Sequence, residues 1–279
     1  MEDVVISSAV RTPMGGFQGD LDSFSASELG GKAIEGAMEK ADIDRVDEVI
    51  MGNVLGAGQG QAPARQASFA AGLDETVPAT TLNKMCGSGM KAAMIGFDQI
   101  KLEQSQTLAV GGMESMSNAP YLLQKMRSGA RLGHGKVVDH MFLDGLEDAY
   151  EPGRLMGTFA EDCAEKYQFT REAQDDYALT SLENSLSAQK VGAFENEIRT
   201  IEVTDRKGAK SFILLDEQPQ NARPDKIPYL KPAFRKNGTV TPANSSSISD
   251  GAAALILASK MYSEKEGLPI RARILGHSS

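Results

Sequence analysis

Short apolar runs and amphipathic helical runs alternate along the first 118 residues, and the alternation does not return until about residue 250. Residues 4–10 read as a strand, followed by a helix over 26–41 whose Ser25 and Glu28 have capping-box spacing. Residues 49–55 read as a second strand, and Pro63 in the glycine-rich GAGQGQAPARQASFAAG suits the first turn of another helix. A third strand over 77–85 leads into a helix from Gly87 to about Lys101, and 108–111 is a fourth strand. Strands that alternate with helices predict an α/β fold with a parallel or mixed sheet and helices on its faces. Between 119 and 240 the pattern gives way to loops, helices over 157–167 and 171–191, and short strand-like runs near Ile198 and Phe212. Apolar strands resume in GAAALILAS and IRARILG. The predicted organisation is a core of 1–118 and 241–279 interrupted by an inserted, mostly helical loop domain over 119–240.

Several function classes are excluded by composition. A net charge of -9 argues against general nucleic-acid binding. No stretch approaches the ~20 apolar residues that span a bilayer, so a soluble protein with no membrane partner is expected. The start, MEDVVISSAVRTP, lacks both a long apolar core and an arginine-rich amphipathic pattern, which predicts a mature cytoplasmic chain. Two distant cysteines and three histidines, His134, His140 and His277, predict no disulfide framework and no metal site. One local departure stands out. Between 200 and 236, eight lysines and arginines face five acids. Such a stretch suits a phosphorylated ligand and equally suits a solvated charged face.

Cys86 lies where the strand over 77–85 meets the following helix, within TTLNKMCGSGMKAAM. The positive end of a helix dipole and the unpaired first-turn amides favour a thiolate over a thiol. Gly87 and Gly89 are expected to leave room for a substrate carbonyl, with amides facing an oxygen that becomes negative during acyl transfer. The same kind of turn also serves phosphate binding. Cys163, mid-helix without a flanking glycine, is expected to be a packed structural thiol. The Cys86 helix is apolar at Met90, Ala93, Met94, Phe97 and Ile100, widened by Ala92 and Ile95, which predicts burial on several sides.

Seven runs occur in order: VRTPMGGFQG, GNVLGAGQGQAPARQ, NKMCGSGMKA, GGMESMSNAPY, REAQDDYALTS, LKPAF and GTVTPANSSSISDGAAA. Together they resemble thiolases of the acetyl-CoA acetyltransferase family along essentially the whole chain. The resemblance implies the first half of a layered αβα thiolase core, with an inserted loop domain that binds coenzyme A. It implies acyl transfer through an acyl-Cys86 intermediate: two acetyl-CoA give acetoacetyl-CoA and coenzyme A, or coenzyme A cleaves a 3-oxoacyl-CoA. Coenzyme A is then substrate rather than a permanent cofactor.

Residue by residue, Leu146 and Met156 resemble apolar contacts to the pantetheine arm, and Ser245 and Ser246 the serine turn that faces it. Arg223 and Lys226 fall near the segment that meets the nucleotide end, where positive charge suits phosphates. Gln59 and Arg65 read as scaffold. Where many members carry glycine and asparagine, this chain carries Ser247 and Ser249, and Leu155 replaces a histidine of some biosynthetic members. The family's NEAF asparagine, GHP histidine and CxGGG cysteine have no counterpart before HSS, and His277 lacks the GHP surroundings. The expectation is a chain that takes an acyl group without family-like turnover. The resemblance also implies a homodimer or homotetramer, in line with an apolar helix face left open to association. A noncatalytic acyl-CoA or partner-binding fragment and a ketoacyl synthase-like condensing enzyme are the alternative readings.

Overall fold

The structure is a computed structural model that describes residues 2–204 and 207–278. The chain divides into two compact units, Met1–Asn118 with Glu195–Leu215 and Ser249–Ser279, and Ala119–Phe194 with Asp216–Ile248. Each is taken by itself.

In the first unit the chain forms β1 (Val4–Arg11), β2 (Gly15–Gly16), α1 (Ala26–Ala41), β3 (Glu48–Gly52), α2 (Pro63–Ala70), β4 (Ala79–Leu82), α3 (Ser88–Lys101) and β5 (Thr107–Ser115). The second unit contributes β6 (Tyr121–Leu123), β7 (Val137–Asp139), α4 (Met156–Tyr167) and α5 (Arg171–Lys190). The chain then returns for β8 (Ile201–Thr204) and β9 (Lys210–Ile213), leaves for α6 (Glu217–Asn221), and finishes with β10 (Ser249–Ser259), α7 (Lys260–Glu266) and β11 (Ala272–Ile274).

The main sheet runs β11-β1-β10-β5-β3-β4, with β2 on β10. It is mixed, as the alternation allowed: β3 pairs in parallel with β4 and β5, whereas β10 lies antiparallel to both β1 and β5. Alternate residues of each strand serve opposite faces. Val49, Met51 and Ala109 pack with Leu29, Ala33 and Ile34 of α1 and Ala64 and Ala67 of α2. Ile50, Leu108 and Val110 face the other way, onto Ala92, Phe97 and Ile100 of α3. Two helices, a sheet and a third helix make the layered αβα core.

Local chemistry sets several boundaries. Ser25 and Glu28 form the expected capping box at α1, and Pro63 opens α2. The expected strands over 49–55 and 77–85 are both shorter, because residues 53–55 and 83–85 turn away to be bound by side chains described below. The segment 195–215, assigned to the insertion from sequence, packs instead on the first unit. Arg11 and residues 197–199 exchange backbone hydrogen bonds of 2.8 Å, Arg199 reaches Glu35 at 3.1 Å, and Ile201 is fully buried in the core.

Two readings of the helices are corrected. The α3 face does not bury all round: Ser88, Ala92, Gly96, Phe97 and Ile100 face the sheet, while Met90 is 69% exposed and Ala93, Met94 and Ile95 are half-buried. Small residues at i, i+4 spacing decide this, since a Cβ on Gly96 would stand 2.8 Å from Val110. Cys163 is exposed rather than packed, because α4 turns Glu161 and Ala164 inward and leaves Cys163 outside.

The second unit is held by buried carboxylates more than by hydrocarbon. Glu161, 3% exposed, accepts from the Thr239 and Val240 amides at 2.9 Å. Arg235 pairs with Asp162 and Glu165, and its guanidinium holds the Asp162 carboxyl below the usual carboxylate range. No helix of the described residues is long and apolar enough to cross a membrane.

The closest backbone approach in the sheet lies at Gly111 of β5, where a Cβ would stand 2.0 Å from the Ala253 carbonyl oxygen of β10. Gly111→Ala is expected to destabilise the chain by about 1–3 kcal/mol, the usual cost of overpacking, read as a lower midpoint in urea unfolding.

Candidate active site

Cys86 follows β4 by a turn closed by side-chain hydrogen bonds. The Asn83 side-chain oxygen accepts from the Met85 amide at 2.8 Å. The Ser88 hydroxyl accepts from the Lys84 amide at 2.8 Å and donates to the Met85 carbonyl at 2.6 Å. Between these clamps Met85 adopts φ 49°, the left-handed region that costs a non-glycine residue roughly 1–2 kcal/mol. The thiol of Cys86 is exposed and makes no hydrogen bond among the described residues. No side chain caps α3, whose N-cap is Gly87, so its first-turn amides have no side-chain acceptor. A thioester carbonyl bonded to this sulfur would develop its negative charge against that helix end.

Ser88 and Gly89 are seated directly on the sheet. A Cβ on Gly52, the last residue of β3, would stand 2.5 Å from the Ser88 Cβ, and one on Gly112 of β5 would stand 3.3 Å from the Gly89 Cα. Gly89 itself keeps ordinary van der Waals distance, a Cβ there standing 3.6 Å from the Gly112 Cα. Gly87 keeps more space, its nearest neighbour being the Lys84 carbonyl at 3.4 Å.

Beside this turn, the Glu114 carboxylate accepts from the Val54 amide at 2.9 Å, the Leu55 amide at 3.1 Å and the Asn53 side chain at 2.8 Å. Gln59 donates to Asn53 at 3.1 Å, and Arg65 holds the Glu75 and Val77 carbonyls, the scaffold roles expected of both. Sequence reasoning missed Asn83, Ser88, Asn53 and Glu114. The Asx turn of Asn83 was the one available signal, an asparagine two residues ahead of a backbone position that tolerates φ above zero.

His277, the one histidine of this unit among the described residues, does not serve Cys86. His277 lies 2.8 Å from Asp98 and edge-on to Phe97 at 5.2 Å, and Asp98 is about 15 Å along α3 from Ser88 at 1.5 Å per residue. His140, in the second unit, is buried 2.6 Å from Asp144. Among the described residues no group of three or more His, Cys, Asp or Glu could hold a metal ion.

The six residues compared with coenzyme A contacts all fall in the second unit, on three supports. Leu146 and Met156 flank the bridge between Glu147 and Leu155, with Leu146 half-buried and Met156 46% exposed. The Phe234 ring lies so close over Gly157 that a Cβ there would stand 2.3 Å away, which fixes LKPAF beside Met156. Arg223 caps and Lys226 lies within a 3-10 helix, Pro224–Tyr229, and both are exposed without a side-chain partner among the described residues. Ser245 donates to Thr241 at 2.7 Å, and Ser246 is exposed.

Asp175, 4% exposed, joins two of these supports. Its carboxylate takes Arg171 at 2.7 Å and Asn244 at 2.9 Å, and Arg171 also binds the Ile227 carbonyl at 2.9 Å. Sequence reasoning did not single it out. The basic stretch is divided, too: Lys210 pairs with Glu202 and Arg235 with acids of α4, whereas Asp205 and Arg206 lie outside the described residues.

Comparison with known proteins agrees with this geometry. The family model described as the thiolase N-terminal domain matches residues 4–261. A probable acetyl-CoA acetyltransferase of Dictyostelium discoideum is 47% identical over all of this chain and 67% of its own length. An acetyl-CoA acetyltransferase of Escherichia coli is 48% identical over all of this chain and 71% of its own length. A crystal structure of the Acat5 thiolase from Ascaris suum in complex with coenzyme A superposes with a TM-score of 0.91 at 38% identity, covering 99% of this chain and 70% of that one. The chain belongs to the thiolase family.

Proposed function

We propose that this chain is an acyltransferase of the acetyl-CoA C-acetyltransferase class, with Cys86 as the acyl acceptor. The Cys86 sulfur attacks the thioester carbonyl carbon and a new C–S bond forms. The tetrahedral oxyanion then collapses, the bond to the coenzyme A sulfur breaks, and coenzyme A leaves as its thiol after taking up a proton. In the synthetic direction a second acyl-CoA, deprotonated beside its carbonyl, attacks the acyl group on Cys86, a C–C bond forms, the acyl C–S bond breaks and the Cys86 sulfur leaves and takes up a proton. In the degradative direction the Cys86 sulfur attacks the 3-carbonyl of a 3-oxoacyl-CoA, the C2–C3 bond breaks, and the two-carbon piece leaves as acetyl-CoA after taking up a proton at C2. Coenzyme A then attacks the shortened acyl group, and the Cys86 sulfur leaves as the free thiol. Covalent storage divides one difficult exchange into two easier ones.

The observation that carries this reading is an accessible thiol at an uncapped helix N-terminus, in a chain whose relatives bear that activity. Support for coenzyme A comes from Arg223 and Lys226, two exposed cations with no side-chain partner among the described residues, which suit its phosphates. Leu146 and Met156 offer accessible apolar surface to a pantetheine arm, and the Ser245–Ser246 turn offers hydroxyls. Self-association belongs to the same reading, since Met90 and Met85 leave apolar area in solvent beside the cysteine.

Brief exposure to acetyl-CoA followed by mass spectrometry is expected to place one acetyl group on Cys86, absent in Cys86→Ala and retained in Cys163→Ser. Acetylation confined to Cys163 or to lysines would end the reading. Removing both cations, Arg223→Ala with Lys226→Ala, is expected to slow acetylation by acetyl-CoA about fivefold to tenfold while sparing a short N-acetylcysteamine thioester, because each exposed charge is worth about 0.5–0.7 kcal/mol. Light scattering at micromolar concentration is expected to give a dimer or larger, and a monodisperse monomer would contradict the self-association.

A further inference from the structure

Met85 stands differently from the left-handed residues that end helices. Asp42 and Gln168 adopt positive φ at the ends of α1 and α4, where their amides close the last helical turn. Met85 lies ahead of a helix, and its side chain is 46% exposed, so packing of that side chain does not hold the backbone. Around it the Ser88 amide donates to the Met85 carbonyl at 3.0 Å and the Gly87 amide to the Lys84 carbonyl at 3.1 Å, and two side-chain clamps add to these backbone bonds, one at the Met85 amide and one at its carbonyl. Asn83 takes the Met85 amide, and the Ser88 hydroxyl takes the Met85 carbonyl and the Lys84 amide.

Both clamps are themselves anchored to the sheet. The Asn83 side-chain amide reaches the Val54 carbonyl at 3.5 Å, and Val54 is tied through its own amide to Glu114 at 2.9 Å. Ser88 is 5% exposed and seated against Gly52. A hydrogen-bonded path therefore runs from the ends of β3 and β5 to the residue before the sulfur.

We propose that Asn83 and Ser88 are positioning residues that hold Met85 left-handed and thereby fix where Cys86 presents its sulfur. Neither needs to touch substrate. Loss of either clamp lets Met85 relax toward ordinary backbone, and the following residue swings with it. The inference rests on Cys86 being the reactive thiol proposed above, yet it concerns the sulfur's placement rather than its acyl substrate.

Glycine adopts positive φ at no steric cost, which supplies the test. The alkylation rate of Cys86 by iodoacetamide is measured on the intact chain by mass spectrometry, with exposed Cys163 as the reference thiol in each molecule. Ser88→Ala and Asn83→Ala are each expected to slow Cys86 about fivefold to tenfold relative to Cys163, the order of a strained-backbone contribution. Met85→Gly combined with Ser88→Ala is expected to return the ratio to within about twofold of Met85→Gly alone, a coupling that simple loss of packing would not produce.

Unchanged rates in both single variants would overturn the proposal, as would a slowed rate that Met85→Gly fails to restore. Should Ser88→Ala lose its cooperative unfolding transition, Asn83→Ala on its exposed side chain carries the same cycle. A wild-type chain that alkylates at Cys86 yet accepts no acetyl group from acetyl-CoA would end the acyl-transfer reading while leaving this comparison interpretable.

Discussion

The first unit depends on a contact in which backbone meets backbone. At the C-terminal end of β3 and beside it within β5, Gly52 and Gly112 present no Cβ, and the first residues of α3 settle directly on them. A helix seated this closely has its start fixed to a fraction of an ångström, and the cysteine one residue before its N-cap inherits that placement. Side chains then complete the fixation: Glu114 gathers residues 53–55, and Asn83 and Ser88 close the turn around Met85. The rest of the sheet, with its two apolar faces, keeps those strand ends in register.

The second unit uses a different principle. Its helices bury few apolar side chains, and α5 buries only Asp175. Buried carboxylates that accept several hydrogen bonds replace hydrocarbon as the organising contacts, Glu161 for residues 239–240 and Asp175 for the segments around Ile227 and Asn244. Such groups are costly to bury unless their partners are in place, so they favour one arrangement of the loops over others. That suits a unit that must hold exposed groups in position without a large core. Arg223, Lys226, Ser246 and Met156 are all left at the surface while their neighbours are anchored.

Much of the fold was legible because periodicity reports burial directly. The capping box at Ser25, the proline at the start of α2, the strands of the core and the helices of the second unit all fell close to their observed positions. Boundaries were less legible where side chains compete with the ladder. β3 and β4 end early because Glu114 and Asn83 bind the following amides, and no local pattern marks a glutamate sixty residues away as the partner of Val54. The burial of α3 was overestimated for a related reason. Its apolar residues outnumber the positions that face the sheet, and only the small side chains Ser88, Ala92 and Gly96 can make the close contact.

By itself the sequence determined the α/β class, the family and the place of Cys86 just ahead of a helix, because each rests on local pattern and residue chemistry. Tertiary structure alone decided that Gly52 and Gly112 seat the start of α3, that 195–215 belongs with the core, that Cys163 faces solvent, and that Arg223 and Lys226 have no side-chain partner among the described residues while Arg235 does. Those outcomes depend on which distant groups come within about 3 Å of one another, the reach of a hydrogen bond. A one-dimensional pattern carries no record of that distance.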